Sequence, residues 1–343
     1  MRGSVNSKMI VLAREARGLN QAELAERIRM SATNLSKIER GDIGISEELL
    51  DSIAETTGFP SHFFLQDGEI IPEHLGYRRR QHVAQRLMGP INAKANIARR
   101  HVQFLTRSLN ISPPALPRLE VRDGQSPEQL AIKLRKLWNI PPGPVENLVK
   151  LMEENGLVTI QYDFGTDRVD SRSIFTEDQY PVICLNHRLG GDRQRFTLAY
   201  ELAGLVLHSF FSVAPDRDIV HEANAFAAAF LLPAKEMKEE FKNGITIPLL
   251  AALKKKWKVS MIALLYRADD LGFLTANQKR YLLQQFNALK IRRREPVELD
   301  IQAEEPKLFK RWLATYRSRT KLGVQEMAAL LCLHVDEFME LYS

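Results

Sequence analysis

The sequence predicts a mainly α-helical fold with one small β-sheet, an α+β architecture spread over more than one domain. Three observations support this. The 343 residues exceed the usual size of a single core, so two or more domains are expected. Apolar residues recur at helical spacing over most of the chain, whereas only residues 157–162 and 180–185 are short β-rich runs. Apolar content of 45% and charged content of 26% are those of an ordinary globular protein. No stretch reaches the roughly 18 apolar residues that a membrane helix needs. The start, MRGSVNSKMIVLAREARG, lacks the apolar core of a signal peptide, so a cytoplasmic location with no membrane partner is expected. Cys184 and Cys332 fit no disulfide framework or metal-binding spacing, and their apolar neighbours predict buried free thiols.

The first helix carries Met9, Leu12 and Ala13 on one face and ends at Gly18. Asn20 and Glu23 form an Asn-x-x-Glu capping arrangement that starts a second helix over 21–29, which buries Leu24, Ala25 and Ile28. Ser31 then caps a third helix with Leu35 and Ile38 inward, closed by Gly41. Two short helices joined by a tight turn, the second amphipathic, are the helix-turn-helix pattern. Its second helix enters the major groove, which makes Ser31, Ala32, Thr33, Asn34, Ser36 and Lys37 the candidate contacts to DNA. Asn34 suits a bidentate bond to adenine, and Lys37 suits guanine or phosphate. Gln21 would point its amide and a helix N-terminus at a phosphate.

This stretch resembles the Xre/Cro family of DNA-binding domains. The likeness rests on the Gln21-x-x-Leu24-Ala25 core, on the Leu35-Ser36-Lys37-Ile38-Glu39-Arg40-Gly41 end of the third helix, and on the Leu49-Leu50-x-x-Ile53-Ala54 helix after it. It implies an all-α, lambda-repressor-like domain over 1–66 that binds double-stranded operator DNA as a homodimer. Ala32 departs from the family, where many members carry a base-contacting glutamine, so operator specificity does not carry over. Net charge is +6, and residues 77–107 hold eight Lys and Arg with no acid, including Arg78, Arg79 and Arg80. A second cluster is Arg292-Arg293-Arg294. Such runs either touch phosphates or are solvated helix faces.

Residues 67–119 read as a basic, partly helical connector that ends in the proline-rich ISPPALPRL. A new unit is expected over 120–295, with Ser126-Pro127-Glu128 as a helix start. It contains helices over 145–154 and 221–231, the two β-rich runs, and a helix opened by Arg193 that carries Tyr200-Glu201-Leu202-Ala203-Gly204. A zinc-binding helix has histidines one turn apart, at the first and fifth places of such a pentad.

PVICLNHRLGGDRQRFTLAYELAGLVLH followed by HEANAFAAAFLLP resembles the ImmA/IrrE family of zinc metallopeptidases. The likeness implies a zincin-like α+β fold. Carried over, the ligand positions fall on Tyr200, Gly204 and Glu222, and the general base on Glu201. Tyrosine must lose a proton of reference pKa near 10 before it binds zinc, and glycine has no side-chain ligand. His208 lies seven residues beyond Glu201, about 10 Å along a helix, too far for one ion with bonds of about 2 Å. A helix-end or core role is expected for it. No metal and no cofactor are therefore expected. Val182 to Leu185 is expected to hold a peptide by edge pairing.

The final region, 296–343, reads as helical. Residues 321–343 look like a further helix-turn-helix, yet the second helix carries Asp336, Glu337 and Glu340 where DNA would approach, which favours packing or dimerisation. The whole reads as a sequence-specific transcription regulator whose peptidase-like unit is expected to be catalytically inactive and to serve sensing, dimerisation or partner binding, with a peptide, a small-molecule effector or a partner protein at its cleft. The alternatives are a zinc metallopeptidase that cleaves a repressor, and a non-catalytic, antitoxin-like protein-binding subunit.

Overall fold

A computed structural model describes residues 4–71, 85–122, 124–212, 214 and 216–342. The N-terminal unit is α1 (Ser7–Ala16), α2 (Gln21–Arg27), α3 (Ala32–Arg40), α4 (Glu47–Thr57) and a 3-10 turn at Ser61–Leu65. Asn6, Asn20, Ser31 and Ser46 each cap a helix by accepting a backbone N–H, and Asn20 with Glu23 closes a full capping box. These caps satisfy donors that helix ends leave unpaired, which is why the boundaries follow the sequence signals so closely. Gly41 ends α3 at φ 79°, a left-handed conformation that glycine adopts without a Cβ penalty.

The long helix α5 (Gln85–Leu109) is a shared wall. Ala93 and Ile97 face the N-terminal core, while Ile91, Ala95, Ala98, Val102 and Leu105 face the sheet. Arg78, Arg79 and Arg80 lie outside the described residues. The remaining cations of that basic run are mostly committed to protein partners. Buried Arg99 donates to Glu69 O at 2.7 Å, Arg100 to Gln66 Oε1 at 2.8 Å, Arg107 to Asp178 Oδ2 at 2.6 Å, and Lys94 to Asp163 O at 2.5 Å.

After α6 (Pro127–Leu137) and α7 (Leu148–Glu154) come β1 (Val158–Tyr162), β2 (Ser171–Phe175) and β3 (Pro181–Asn186). The order is β1-β3-β2, with β3 parallel to β1 and antiparallel to β2. This corrects one expectation. β3 is the central strand, so both its edges are already paired and Val182 to Leu185 has none to offer a peptide. The polar β2, SRSIF, lacks the apolar run that marks β1 and β3, and sequence reading missed it. One sheet face, with Val158, Ile160, Ile174 and Val182, packs on α5. The other, with Ile183 and Leu185, packs on α8 (Gly191–Ala203), which runs into a π-helical turn at Gly204–His208.

Beyond it lie α9 (Ile219–Leu231), α10 (Ala234–Phe241), α11 (Ile247–Trp257), α12 (Met261–Asp270) and α13 (Ala276–Ala288). The chain then returns across α8. Buried Arg195 pairs with Glu304, and Gln194 exchanges two hydrogen bonds with the Glu304 backbone at 2.8 and 2.7 Å. The tail is α14 (Leu308–Thr320), α15 (Val324–Leu330) and α16 (Val335–Tyr342). Phe309, Leu313, Met327 and Phe338 join the α5 side of the sheet. Cys184 and Cys332 are free and buried, and burial pushes their thiols up to about 12 and about 11. Among the described residues no helix is long and apolar enough to cross a membrane.

Candidate DNA-reading face and central cleft

The reading helix α3 stands on a buried polar post. Arg14 of α1 donates to Glu39 of α3 at 2.6 and 3.1 Å, and Gln21 Nε2 of α2 donates to Glu39 Oε2 at 2.7 Å. Leu24, Ala25, Leu35 and Ile38 fill the space beneath. The three helices are thereby fixed, with Ser31, Ala32, Thr33, Asn34 and Lys37 all exposed along one side. Ser36 is half-buried and accepts from Arg40 at 3.1 Å. Gln21 departs from expectation, because its amide nitrogen turns inward to Glu39. The signal for that was the acid at Glu39, which needs donors once it is buried.

The pentad helix places its side chains in two directions. Tyr200 and Phe196 line an open cleft of about 1590 Å³, together with Val220, Tyr266, Arg292 and Arg293. Glu201 instead faces the sheet, 4% exposed. There Ser171 Oγ donates to Glu201 Oε1 at 2.5 Å and Ser173 Oγ donates to Glu201 Oε2. Strand alternation explains why both serines reach it, since residues two apart share a face while Arg172 between them reaches Asn92 of α5 at 3.0 Å.

Glu222 sits at the start of α9. Arg217 donates to both of its oxygens, at 2.9 and 2.5 Å, and His208 Nε2 lies 2.8 Å from Oε2. Burial alone would raise the Glu222 carboxyl, but these donors outweigh it and hold the group below the ordinary carboxylate range. Burial lowers His208, against the pull of Glu222, and so favours its neutral form. The π turn carries His208 round to this partner, and Ser209 closes the turn by donating N–H and Oγ to Gly204 O at 3.1 and 2.9 Å. His208 is buried, as expected, with the added role of tying down Glu222. The expectation had not foreseen Ser171, Ser173 or Arg217.

Gly204 is helical at φ −54°, and a Cβ built there meets no atom within 4 Å. Of the three ligand positions expected from the resemblance, Tyr200 is a phenol lining the cleft, Gly204 has no side chain, and Glu222 has both oxygens occupied by donors. This donor set does not fit a zinc ion. Among the described residues, no group of three His, Cys, Asp or Glu side chains is gathered as a metal site would require.

The fold and these two regions define a helix-turn-helix unit joined to a peptidase-like α+β unit. Residues 10–64 match the family model described as Helix-turn-helix, and residues 152–269 match the one described as IrrE N-terminal-like domain. Comparison with curated proteins finds no match.

Proposed function

We propose that this chain is a sequence-specific transcription regulator. Its α3 reads a two-fold operator as a homodimer, and its peptidase-like unit binds rather than cleaves. The helix-turn-helix match and the exposed row of Thr33, Asn34 and Lys37 support the first part. The second rests mainly on Glu201. A general base needs access to a water, and this carboxylate is buried against the sheet between two serine hydroxyls and is not among the residues that line the cleft. The cleft suits a peptide, an effector or a partner protein, with Tyr200 and Phe196 on its floor and arginines at its rim.

The test is a binding titration of the full chain on duplex DNA from its own promoter. Asn34→Ala is expected to lose discrimination against a mismatched site by about 1–3 kcal/mol. Lys37→Ala is expected to weaken all duplexes alike and to flatten the salt dependence. In parallel, metal content and proteolysis are measured. Stoichiometric zinc, with proteolysis abolished by Glu201→Gln, would replace this reading with the peptidase one.

A further inference from the structure

The tail repeats the DNA-reading motif at a constant offset of 303 positions. Buried Leu24, Ala25, Ile28 and Leu35 correspond to buried Met327, Ala328, Leu331 and Phe338. Both first helices have seven residues. Arg29 and Cys332 occupy the turn with φ 54° and 56°. Arg29 N–H reaches Glu26 O at 3.1 Å and Cys332 N–H reaches Ala329 O at 3.0 Å. Met30 N–H reaches Ala25 O at 2.8 Å and Leu333 N–H reaches Ala328 O at 2.9 Å. Even the glutamate arm of the capping box recurs, with Glu23 accepting from Asn20 N–H and Glu326 from Gly323 N–H. Two segments sharing helix length, core positions, turn dihedrals and turn hydrogen bonds have the same supersecondary structure.

The charge on the second helix is inverted. Thr33, Asn34 and Lys37 become Asp336, Glu337 and Glu340, so α16 would be repelled by a phosphate backbone. It lies against the reader instead. Glu337 accepts two hydrogen bonds from Arg17, both at 3.0 Å, while Arg17 also donates to Thr57 O and Gly58 O and lies 4.3 Å from the Phe59 ring centroid. His62 Nε2 donates to Ala329 O at 2.8 Å, and Cys332 is buried in the N-terminal core. Arg17 lies three residues before Asn20, the cap of α2, and three residues span at most about 10 Å. That backbone span is about one screening length at 0.1 M salt, and Glu337 of α16 is held at the tip of the Arg17 side chain that extends from it. The N-terminus of α2 is where this motif meets the DNA backbone. Asp336 and Glu340 are exposed and form no ion pair among the described residues.

We propose that residues 323–342 are a second helix-turn-helix with an acidic reading face, clasped onto the first, where its carboxylates act as a brake on DNA binding. This rests on the reading of α3 as a DNA reader. The test compares the full chain with Asp336→Asn/Glu340→Gln on a labelled random-sequence duplex across a salt series. Both substitutions lie on exposed positions, and a thermal melt by circular dichroism confirms the fold. Removing two negative charges from the helix that is held on Arg17 is expected to tighten binding on the order of threefold to tenfold at low salt, and the gain fades as salt rises. Equal or weaker binding by the variant overturns the brake, as does a gain that salt leaves unchanged. Absence of binding by both proteins at low salt overturns the DNA-reading function itself, and the brake with it.

Discussion

His208 Nε2 lies 2.8 Å from Glu222 Oε2, tying the end of the π turn to the first turn of α9. The contact makes Glu222, an expected ligand position, part of an internal ion-and-hydrogen-bond cluster. Its pH dependence has a definite sign. His208 is lowered in the folded chain, so the unfolded chain binds a proton more readily. The stability it contributes is present above the unfolded histidine pKa of about 6.5 and is lost as pH falls. Glu222 is also lowered, and its contribution is lost at lower pH, as the carboxylate protonates. Urea midpoints between pH 7 and pH 4 should fall in wild type and fall less steeply in His208→Gln. Equal slopes would separate His208 from the acid response.

Glu201 makes the second prediction. Replacing it with alanine strands two buried hydroxyls and leaves a cavity, and should cost about 3 kcal/mol. Glutamine keeps the shape and one acceptor, because a serine hydroxyl can turn to accept from the amide, and should cost about 1 kcal/mol. Urea unfolding followed by the fluorescence of Trp138, Trp257 and Trp312 measures both. A Glu201→Ala protein as stable as wild type would remove the structural role assigned to this carboxylate.

The N-terminal unit was legible because its information is local. Caps at Asn20 and Ser31, glycine at Gly41 and apolar spacing each act within one helix turn. In the peptidase-like unit the helices α6 to α9 were legible, but the sheet was legible only where its strands are apolar. β2 was missed because Ser171 and Ser173 face a carboxylate rather than a hydrophobic core. The His208 to Glu222 contact depends on a π turn, which shifts helix phase and has no residue signature of its own. Gln21 shows the remaining gap, since a polar side chain beside a helix start is equally suited to a phosphate and to a buried acid such as Glu39.

Two glycines of the pentad helix should respond in opposite directions. Gly204 is helical and a Cβ there meets open space, so Gly204→Ala should stabilise by about 0.5–1 kcal/mol through the lost freedom of the unfolded chain. Gly191 starts α8 in backbone contact, with its N–H 3.1 Å from Ile301 O. A Cβ there would collide with the carbonyl oxygens of Ile301 and Gln302, which are backbone and cannot swing aside. Gly191→Ala should therefore destabilise by about 1–3 kcal/mol and loosen the segment around Ile301 and Gln302 that crosses α8. Thermal melts of the two variants on either side of wild type would confirm the assignment, and a reversed order would refute it.

The tail is latched at its last helix by a buried chain of polar groups. Tyr342 Oη lies 2.7 Å from His101 Nδ1, His101 Nε2 lies 2.9 Å from Leu331 O, and the Tyr162 hydroxyl lies 3.2 Å from that of Tyr342. The directions follow from the partners. A carbonyl can only accept, so Nε2 carries the proton, Nδ1 accepts from Tyr342, and Tyr162 donates to Tyr342. Burial lowers His101 to about 3, opposed by its bond to Leu331. The neutral ring therefore contributes stability that is complete above about pH 6.5 and erodes as pH falls toward 3, at up to about 1.4 kcal/mol per unit. Tyr342→Phe should cost about 1–2 kcal/mol and should speed amide exchange in α15 and α16. His101→Phe should cost more, because it leaves the Leu331 carbonyl and the Tyr342 hydroxyl buried without that partner. It should also flatten the acid limb of the stability curve. If exchange in α15 and α16 is unchanged in Tyr342→Phe, the latch does not hold the tail, and the clasp on Arg17, the His62 bond to Ala329 and the apolar packing of Met327 and Phe338 hold it instead.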